Sequence, residues 1–255
     1  MDKSKIASGV RFFGTNLENV PHDLRRLDNF LGEAAQYGEA YVAVNTSADV
    51  TNALAHIAEQ YPEVIAFGVT PWQKFIAPCN ALIYAAAVGG AHVFLSASAE
   101  FPLKKEYVDQ LMPHLDDDTL FVGARFPEHK FSEGEHIATG SSFPWGTFGI
   151  WNLVELAKFG MPLCGDAPFN STKAGVEELS TVGMFQERFN AGLSTFEAKA
   201  KLVTMNQGFY GEWNMDGWDE ARFAAHMKKI ASKSERPAAQ LAWAGIRAPQ
   251  VIHIA

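Results

Sequence analysis

Apolar and polar positions follow two different periods along the first hundred residues. Four short apolar runs have the length of buried strands, and they lie at 9–14 (GVRFFG), 40–45 (AYVAVN), 63–69 (EVIAFGV) and 91–96 (AHVFLS). Three segments between these runs repeat their apolar residues at helical spacing, and they lie at 22–37, 51–60 and 79–88. Strands that alternate with helices predict an α/β fold with a mainly parallel sheet and helices on both faces.

The second half of the chain is less regular. Its pattern predicts a strand at 120–126 and helices at 103–114, 150–159, 175–189 and 213–235. Residues 127–149 are rich in Gly, Ser, His and aromatic residues, which is typical of a binding loop. Because no linker or internal repeat is evident, we expect one domain, in which residues 1–205 carry the ligand site and residues 206–255 form a helical extension packed on it.

Composition narrows the class of protein. The chain has 255 residues, of which 47% are hydrophobic and 20% charged, as in an ordinary globular protein. Its net charge of −8 argues against nucleic-acid binding, which needs a basic surface. Cys79 and Cys164 are too few for a disulfide framework. With no signal-peptide pattern and no apolar run of ~18 residues, we expect a cytoplasmic protein without a transmembrane segment.

Polar stretches follow the first four predicted strands. In an open parallel sheet the ligand lies beyond the carboxyl ends of the strands, so these stretches should meet in a single site. They are TNLEN (15–19), NTSAD (45–49), TPWQK (70–74) and SASAE (96–100).

The order of these parts resembles the GT-A fold, and in particular family 2 of the nucleotide-sugar glycosyltransferases. The turn at 45–49 resembles the acidic D-x-S-x-D turn of that family, with Asn at its first acidic position. Asn80, the Gly89-Gly90 turn and the strand AHVFL then follow in the family's order, and the resemblance covers roughly residues 9–190. It implies a nucleotide-sugar site formed by Thr15, Asn16, Asn45, Ser47, Asp49, Lys74, Asn80, Ser96, Ser98 and Glu100.

The stretch FLSASAEF at 94–101 departs from the family pattern. Family members have F-L-D-x-D here, so Ser96 and Ser98 stand at the two aspartate positions. Neutral hydroxyls do not replace the carboxylates that hold Mg²⁺ or Mn²⁺, and Glu100 is a single acid two residues further on. We therefore assign no metal cofactor. The weaker alternative is an ion held by Glu100 and substrate phosphates.

Fixed cations are an alternative way to neutralise a leaving diphosphate. A basic stripe recurs at helical spacing in the last predicted helix, and its members are Arg222, His226, Lys229, Lys233 and Arg236. An ordinary solvated basic face would give the same pattern. A separate apolar stripe of Phe223, Met227 and Ile230 is expected to face the core. Further cations are available at Lys74 and in the group Arg125, His129 and Lys130.

The resemblance also implies an acceptor side with a catalytic base. Family members place a Glu-Asp pair at a helix start, and Glu177-Glu178 stand at such a start here, with Glu178 in the position of the Asp. The helix dipole alone would also favour acids there. Asp166 is the second candidate base. Trp145 and Trp151 could stack on an acceptor sugar, although aromatic residues are also common core anchors.

Two other groups are better explained without chemistry. The triplet Asp116-Asp117-Asp118 lies between a predicted helix and strand, where a solvated turn is expected. His129 and His136 lack partners for metal binding, and we expect them to serve the loop.

These observations predict a glycosyltransferase that moves a hexose from a nucleoside-diphosphate sugar to a carbohydrate or lipid-linked acceptor without a bound metal. The alternative is a non-catalytic relative that binds a nucleotide, glycan or protein partner. A nucleotidyltransferase is a third possibility, but it needs a Gly-rich basic loop after the first strand, and TNLENVPHDL at 15–24 is neither.

Overall fold

The computed structural model describes the chain except for residues 1, 3–4, 14–19, 46–47, 167–176, 207–208, 210–214 and 216–217, and the side chains of 20–22, 48–53 and 234. The strands of the described part are β1 (Ile6–Phe12), β2 (Gly38–Asn45), β3 (Ile65–Val69), β4 (Val93–Ala97), β5 (Thr119–Ala124), β6 (Gly134–Ile137), β7 (Phe148–Asn152), β8 (Lys199–Val203) and β9 (Gln250–Ile254). The α-helices are α1 (Val20–Ala34), α2 (Ala48–Gln60), α3 (Ile76–Val88), α4 (Lys105–Leu111), α5 (Leu153–Leu156), α6 (Glu177–Asn190), α7 (Glu220–Ala231) and α8 (Arg236–Ala244).

All strands of the described part join one nine-stranded sheet in the order β3-β2-β1-β4-β7-β5-β8-β9-β6. Its pairings are parallel except where β7 lies between β4 and β5 and where β6 closes the edge beside β9. The prediction of a mainly parallel α/β fold is therefore confirmed.

Helices cover both faces of the sheet. Successive strand residues point to opposite sides, so each strand contributes side chains to a core on each face. One core lies under α1 and α4, and Val10, Leu95 and Phe148 from the sheet belong to it. The other lies under α3 and α6, and it includes Phe94 and Trp151. The parallel register brings the carboxyl ends of β1, β2, β3 and β4 to one edge of the sheet.

The predicted helix over 150–159 is wrong in its first part. Residues Phe148–Asn152 form β7, a fully buried strand, and only Leu153–Leu156 make a single helical turn. A short apolar run fits a buried strand and a buried helix equally well, and pairing with strands on both sides decides the outcome here. The predicted binding loop over 127–149 likewise contains the edge strand β6.

The C-terminal region is not wholly helical. In place of the predicted helix over 213–235, the shorter helix α7 begins at Glu220, where the carboxylate of Asp219 caps it. A second helix, α8, follows. The last residues form β9, which pairs with β8 and β6 inside the sheet, so the expected helical extension is wrong at its end. None of the helices in the described ranges has the length and apolar character needed to cross a lipid bilayer.

Candidate functional site

The two serines at the end of β4 are already engaged in protein hydrogen bonds. The Ser96 hydroxyl accepts the indole N–H of Trp151 at 3.1 Å and donates to the backbone carbonyl of Gly149 at 3.4 Å. The Ser98 hydroxyl donates to the carboxylate of Glu100. Both side chains therefore shape the strand end.

A guanidinium group lies against Glu100, two residues beyond the position of the expected metal motif. Arg222 on α7 makes an ion pair with Glu100 at 3.1 Å and approaches Asp23 on α1 at 3.5 Å. Burial alone would raise the pKa of the Glu100 carboxyl, but hydrogen bonds from Ser98 and its own backbone amide, with the charges of Arg222 and Arg26, lower it.

These donors do not fit Mg²⁺ or Mn²⁺. A hard divalent cation needs several free oxygen ligands, and here the only carboxylate of the stretch is bound to a serine hydroxyl and a guanidinium. In the described part of the chain, no three His, Cys, Asp or Glu side chains are grouped so as to hold a metal ion.

Helix α7 turns its basic stripe toward the sheet and part of its apolar stripe toward water. Phe223 and Met227 are 47% and 48% exposed, so the expectation that they face the core is wrong for both, whereas Ile230 packs against the core as expected. On the basic side, Arg222 reaches the end of β4, and the His226 ring lies edge-on to Trp218 at 5.1 Å. The stripe is thus not a purely solvated face.

The C-terminal half of this stripe lies over aromatic rings near the edge of the sheet. The Lys229 ammonium is 4.8 Å from the centre of the Phe75 ring, and that of Lys233 is 3.2 Å from the centre of the Trp145 ring. The Arg11 guanidinium, from β1, lies 4.1 Å from the same Phe75 ring. Sequence reasoning missed Arg11, although a lone arginine inside a buried strand run could have signalled it.

The acid pair lies at the start of α6, beside these cations. Glu177 is only 7% exposed. Burial, reinforced by the charge of Glu178, raises the pKa of Glu177 to about 7, and nearby Lys229 and Arg11 partly offset the effect. A Glu178 oxygen accepts the backbone N–H of Gly146 at 2.5 Å, which fixes that carboxylate. The pair can therefore hold one proton near neutral pH.

A cavity of about 40 Å³ connects the strand ends to the acid pair. It lies on the α3 and α6 side of the sheet. Its polar lining includes Arg11, Ser96, Glu177 and Glu178, and Phe94 and Trp151 are among its apolar lining residues. Cys79 also lines it, and burial raises the pKa of this thiol to about 11, so the thiol stays protonated at neutral pH.

Asp166, the second candidate base, has a structural position. One of its oxygens accepts the backbone N–H groups of Phe75 at 2.7 Å and Ile76 at 3.0 Å, at the start of α3. A carboxylate there satisfies amides that have no partner within the helix. The Lys74 ammonium donates to the backbone carbonyl of Asp166 at 3.1 Å, which strengthens the same junction.

The expected nucleotide-binding residues are only partly described. Thr15, Asn16, Ser47 and the side chain of Asp49 lie outside the described residues. Asn45 ends β2 and is buried.

Asn80 clamps the backbone of Met161 in both directions, donating at 2.9 Å and accepting at 2.8 Å. Its amide is thus occupied in packing, and a role in binding a nucleoside is not supported.

The tryptophans expected to stack on an acceptor are buried. Trp151 is inaccessible to solvent and stacks on Phe121 at 3.9 Å. Trp145 is 5% exposed, donates to the Gly140 carbonyl and packs against His129. Neither ring is exposed for stacking on an acceptor sugar, so that prediction is wrong for both.

His129, Asp116 and His136 serve the structure around them. His129 accepts the backbone N–H of Phe126, and burial lowers the pKa of its ring to about 3. Asp116 pairs with Lys201 at 2.5 Å in the predicted turn. The ring of His136 contacts the backbone carbonyl of Ser132.

Comparisons with known proteins bear on the fold. No family model and no curated protein sequence matches the chain. Among solved structures, the 4-diphosphocytidyl-2C-methyl-D-erythritol synthase of Anaerococcus prevotii is similar, with a TM-score of 0.55, 12% identity, and coverage of 89% of this chain and 97% of that one. Mannosyl-3-phosphoglycerate synthase of Rubrobacter xylanophilus has a TM-score of 0.50 at 14% identity, covering 94% and 75%.

The chain has a GT-A, Rossmann-like fold. The two similar synthases make different products, and identity of 12–14% relates folds rather than activities. The choice of reaction therefore depends on the site.

Proposed function

We propose that this protein is a glycosyltransferase that moves a hexose from a nucleoside-diphosphate sugar to a carbohydrate or lipid-linked acceptor without a bound metal ion. The observation that carries this proposal is the meeting of an acid pair and several cations at the carboxyl ends of the parallel strands. Arg11, Glu177 and Glu178 line the same cavity as Ser96 at the end of β4. Ligands of open α/β sheets bind at this edge.

Arg222 takes the place of the metal ion that neutralises the donor diphosphate in the glycosyltransferase family that the sequence resembles. Its guanidinium is held in place by Glu100 and Asp23, and Arg26 also pairs with Asp23, so two guanidinium groups and two carboxylates are fixed beside the end of β4. A positive charge fixed in advance stabilises the negative charge that develops on a leaving diphosphate, without reorganisation during the reaction. His226 lies one helical turn further along the same face of α7.

The acid pair supplies the base. Transfer requires that the acceptor hydroxyl loses its proton as its oxygen bonds to the anomeric carbon and the bond from that carbon to the diphosphate breaks. Glu178 is fixed by Gly146 and is the preferred acceptor of that proton. Glu177 shares the site, with a pKa near the operating pH.

The test is a panel of UDP- and GDP-sugars, examined for binding by calorimetry and for hydrolysis or transfer with and without EDTA. We expect one donor to bind and turn over slowly, with turnover unchanged by EDTA. Glu178→Gln should keep donor binding and lower turnover by about a hundredfold or more. A full panel that shows neither binding nor turnover would contradict the proposal.

A non-catalytic protein that binds a nucleotide, glycan or protein partner is the second candidate. The engagement of Ser96 and Ser98 in internal hydrogen bonds favours it, since neither hydroxyl is free to act on a substrate. Donor binding without turnover, the same in wild type and in Glu178→Gln, is the result that would select it.

A further inference from the structure

Three cations near the cavity make no close ion pair in the described part of the chain, although Glu177 and Glu178 are near enough to interact with them electrostatically. Among the described residues, Arg11, Lys229 and Lys233 take part in no ion pair within 4.0 Å, and each lies over an aromatic ring. Elsewhere in the described chain, Lys201 and Arg247 each have a carboxylate at 2.5 Å. Arg125 and Arg188 also lie over aromatic rings without an ion pair to any described residue. The three cations differ from them in lying close enough to Glu177 and Glu178 to interact electrostatically with the acid pair beside the cavity.

The local charge balance is positive. Four cations, the three above and Arg236, face two carboxylates, of which Glu178 is bound to a backbone amide and Glu177 is protonated for part of the time at neutral pH. Although much of Lys229 is exposed, loss of water around its ammonium group lowers its pKa, and the pKa of Lys233 is lowered in the same way. Cations that are short of both water and counter-charge favour the binding of an anion.

This cation group is separate from Arg222. Seven residues of helix place Lys229 ~10 Å further along α7, and Arg222 is tied to acids on the α1 side of the sheet. Lys229 lies instead over Phe75, which lines the cavity on the α3 side. Their contacts therefore hold Arg222 and Lys229 on different sides of the sheet.

The cavity beside the cations is small. Its volume of about 40 Å³ suits a group of a few atoms, whereas sites for whole drug-sized ligands are several times larger. Arg11 contributes a planar guanidinium to its lining, and this group matches the oxygens of phosphate and carboxylate in pairs.

We propose that Arg11, Lys229 and Lys233 form a site for a small anionic group, a phosphate monoester or a carboxylate, carried by the acceptor. The site lies next to Glu177 and Glu178, so an acceptor anchored there by its anion would present a neighbouring hydroxyl to the acid pair. The identification of the carrier as an acceptor rests on the proposed glycosyl transfer, whereas the anion site itself does not.

The test uses the full chain and inorganic phosphate as the probe, measured by calorimetry, with a nucleotide-sugar panel in parallel. We expect phosphate binding to weaken roughly tenfold to a hundredfold in Arg11→Gln and in Lys229→Gln, because each removes a charge-assisted contact. Lys228→Gln is the matched control, since Lys228 is the exposed neighbour of Lys229 on the same helix, and it should bind phosphate as the wild type does.

Arg11→Lys distinguishes loss of the anion contact from loss of folding. It keeps the charge and loses only the paired geometry, so it should retain part of the phosphate binding that Arg11→Gln loses. Nucleotide-sugar binding should be unchanged in Lys228→Gln, and in Arg11→Gln and Lys229→Gln it should fall much less than phosphate binding does.

Two results would overturn the assignment. If phosphate binds equally to wild type, Arg11→Gln and Lys229→Gln, or does not bind at all, there is no anion site. If nucleotide-sugar binding falls as much as phosphate binding, the site belongs to the donor diphosphate and not to the acceptor. Phosphate binding in a protein that binds no nucleotide-sugar would instead leave the anion site standing and remove the proposed function.

Discussion

Glu177→Gln should make the protein more stable at alkaline pH than the wild type. Burial raises the pKa of Glu177 from 4.5 to about 7, with a further increase from Glu178. The folded state therefore binds the proton more tightly than the unfolded state, and this contribution to stability is complete below pH 4.5 and is lost as pH rises through 7. A gap of this size corresponds to at most ~3 kcal/mol, and the neutral amide removes the dependence.

The assay is urea unfolding of both proteins at pH 5 and pH 8. We expect the free energy of unfolding of Glu177→Gln, relative to wild type, to rise by ~1–3 kcal/mol between the two pH values. Glu187→Gln is the matched control on the same helix, because Glu187 is a more exposed carboxylate whose pKa is lowered by a hydrogen bond from Arg247. Its free energy of unfolding, relative to wild type, should not rise between pH 5 and pH 8. Parallel stabilities of wild type and Glu177→Gln over this range would refute the reasoning.

Three further changes test the site. Asp166→Ala removes the carboxylate that caps α3, and we expect the free energy of unfolding to fall by ~2 kcal/mol in a denaturant titration. Arg222→Gln leaves Glu100 without its guanidinium, so it should cost ~1–2 kcal/mol at pH 7. The cost should shrink as pH falls through the lowered pKa of Glu100, because the pair is then lost in wild type too. Gly146→Ala places a Cβ against the flexible end of the Glu178 side chain, which must then shift, so calorimetry should find donor binding kept and a transfer assay should find turnover lowered. Unchanged turnover would show that the position of Glu178 fixed by Gly146 is not needed for transfer.

The parallel half of the fold can be predicted from the sequence because its signals are local. Each of the first four strands is a short apolar run followed by a turn, and helical periodicity separates it from the next. The carboxyl-end edge follows from that alternation alone, since parallel strands joined by helices must all end on the same side. The helix that begins at Glu177 also follows from local periodicity, whereas the role of its acid pair comes from the family resemblance.

The antiparallel and C-terminal strands could not be predicted in the same way. The run FGIWN is helical or extended according to what lies beside it, and only β4 and β5 decide the matter. The C-terminal strand Gln250–Ile254 is completed by β8 and by an edge strand more than a hundred residues earlier. Pairings across such separations leave no periodic signal in the segment itself.

The orientation of α7 shows which physical effect the sequence pattern leaves out. Leaving Phe223 and Met227 about half exposed forgoes ~1 kcal/mol for each side chain. Against this, the neighbouring basic face of α7 brings Arg222 to two acids and Lys229 to an aromatic ring, and the turn after α7 brings Lys233 to another ring. Partial loss of water strengthens these contacts. The expectation that the apolar stripe of a helix faces the core considers only the burial of apolar side chains. It leaves out the acids that attract the basic face, because these lie on other elements. A helix that packs on a charged, ligand-binding edge can therefore invert this expectation, and an apolar stripe facing water beside a basic one is then a sign of the site below it.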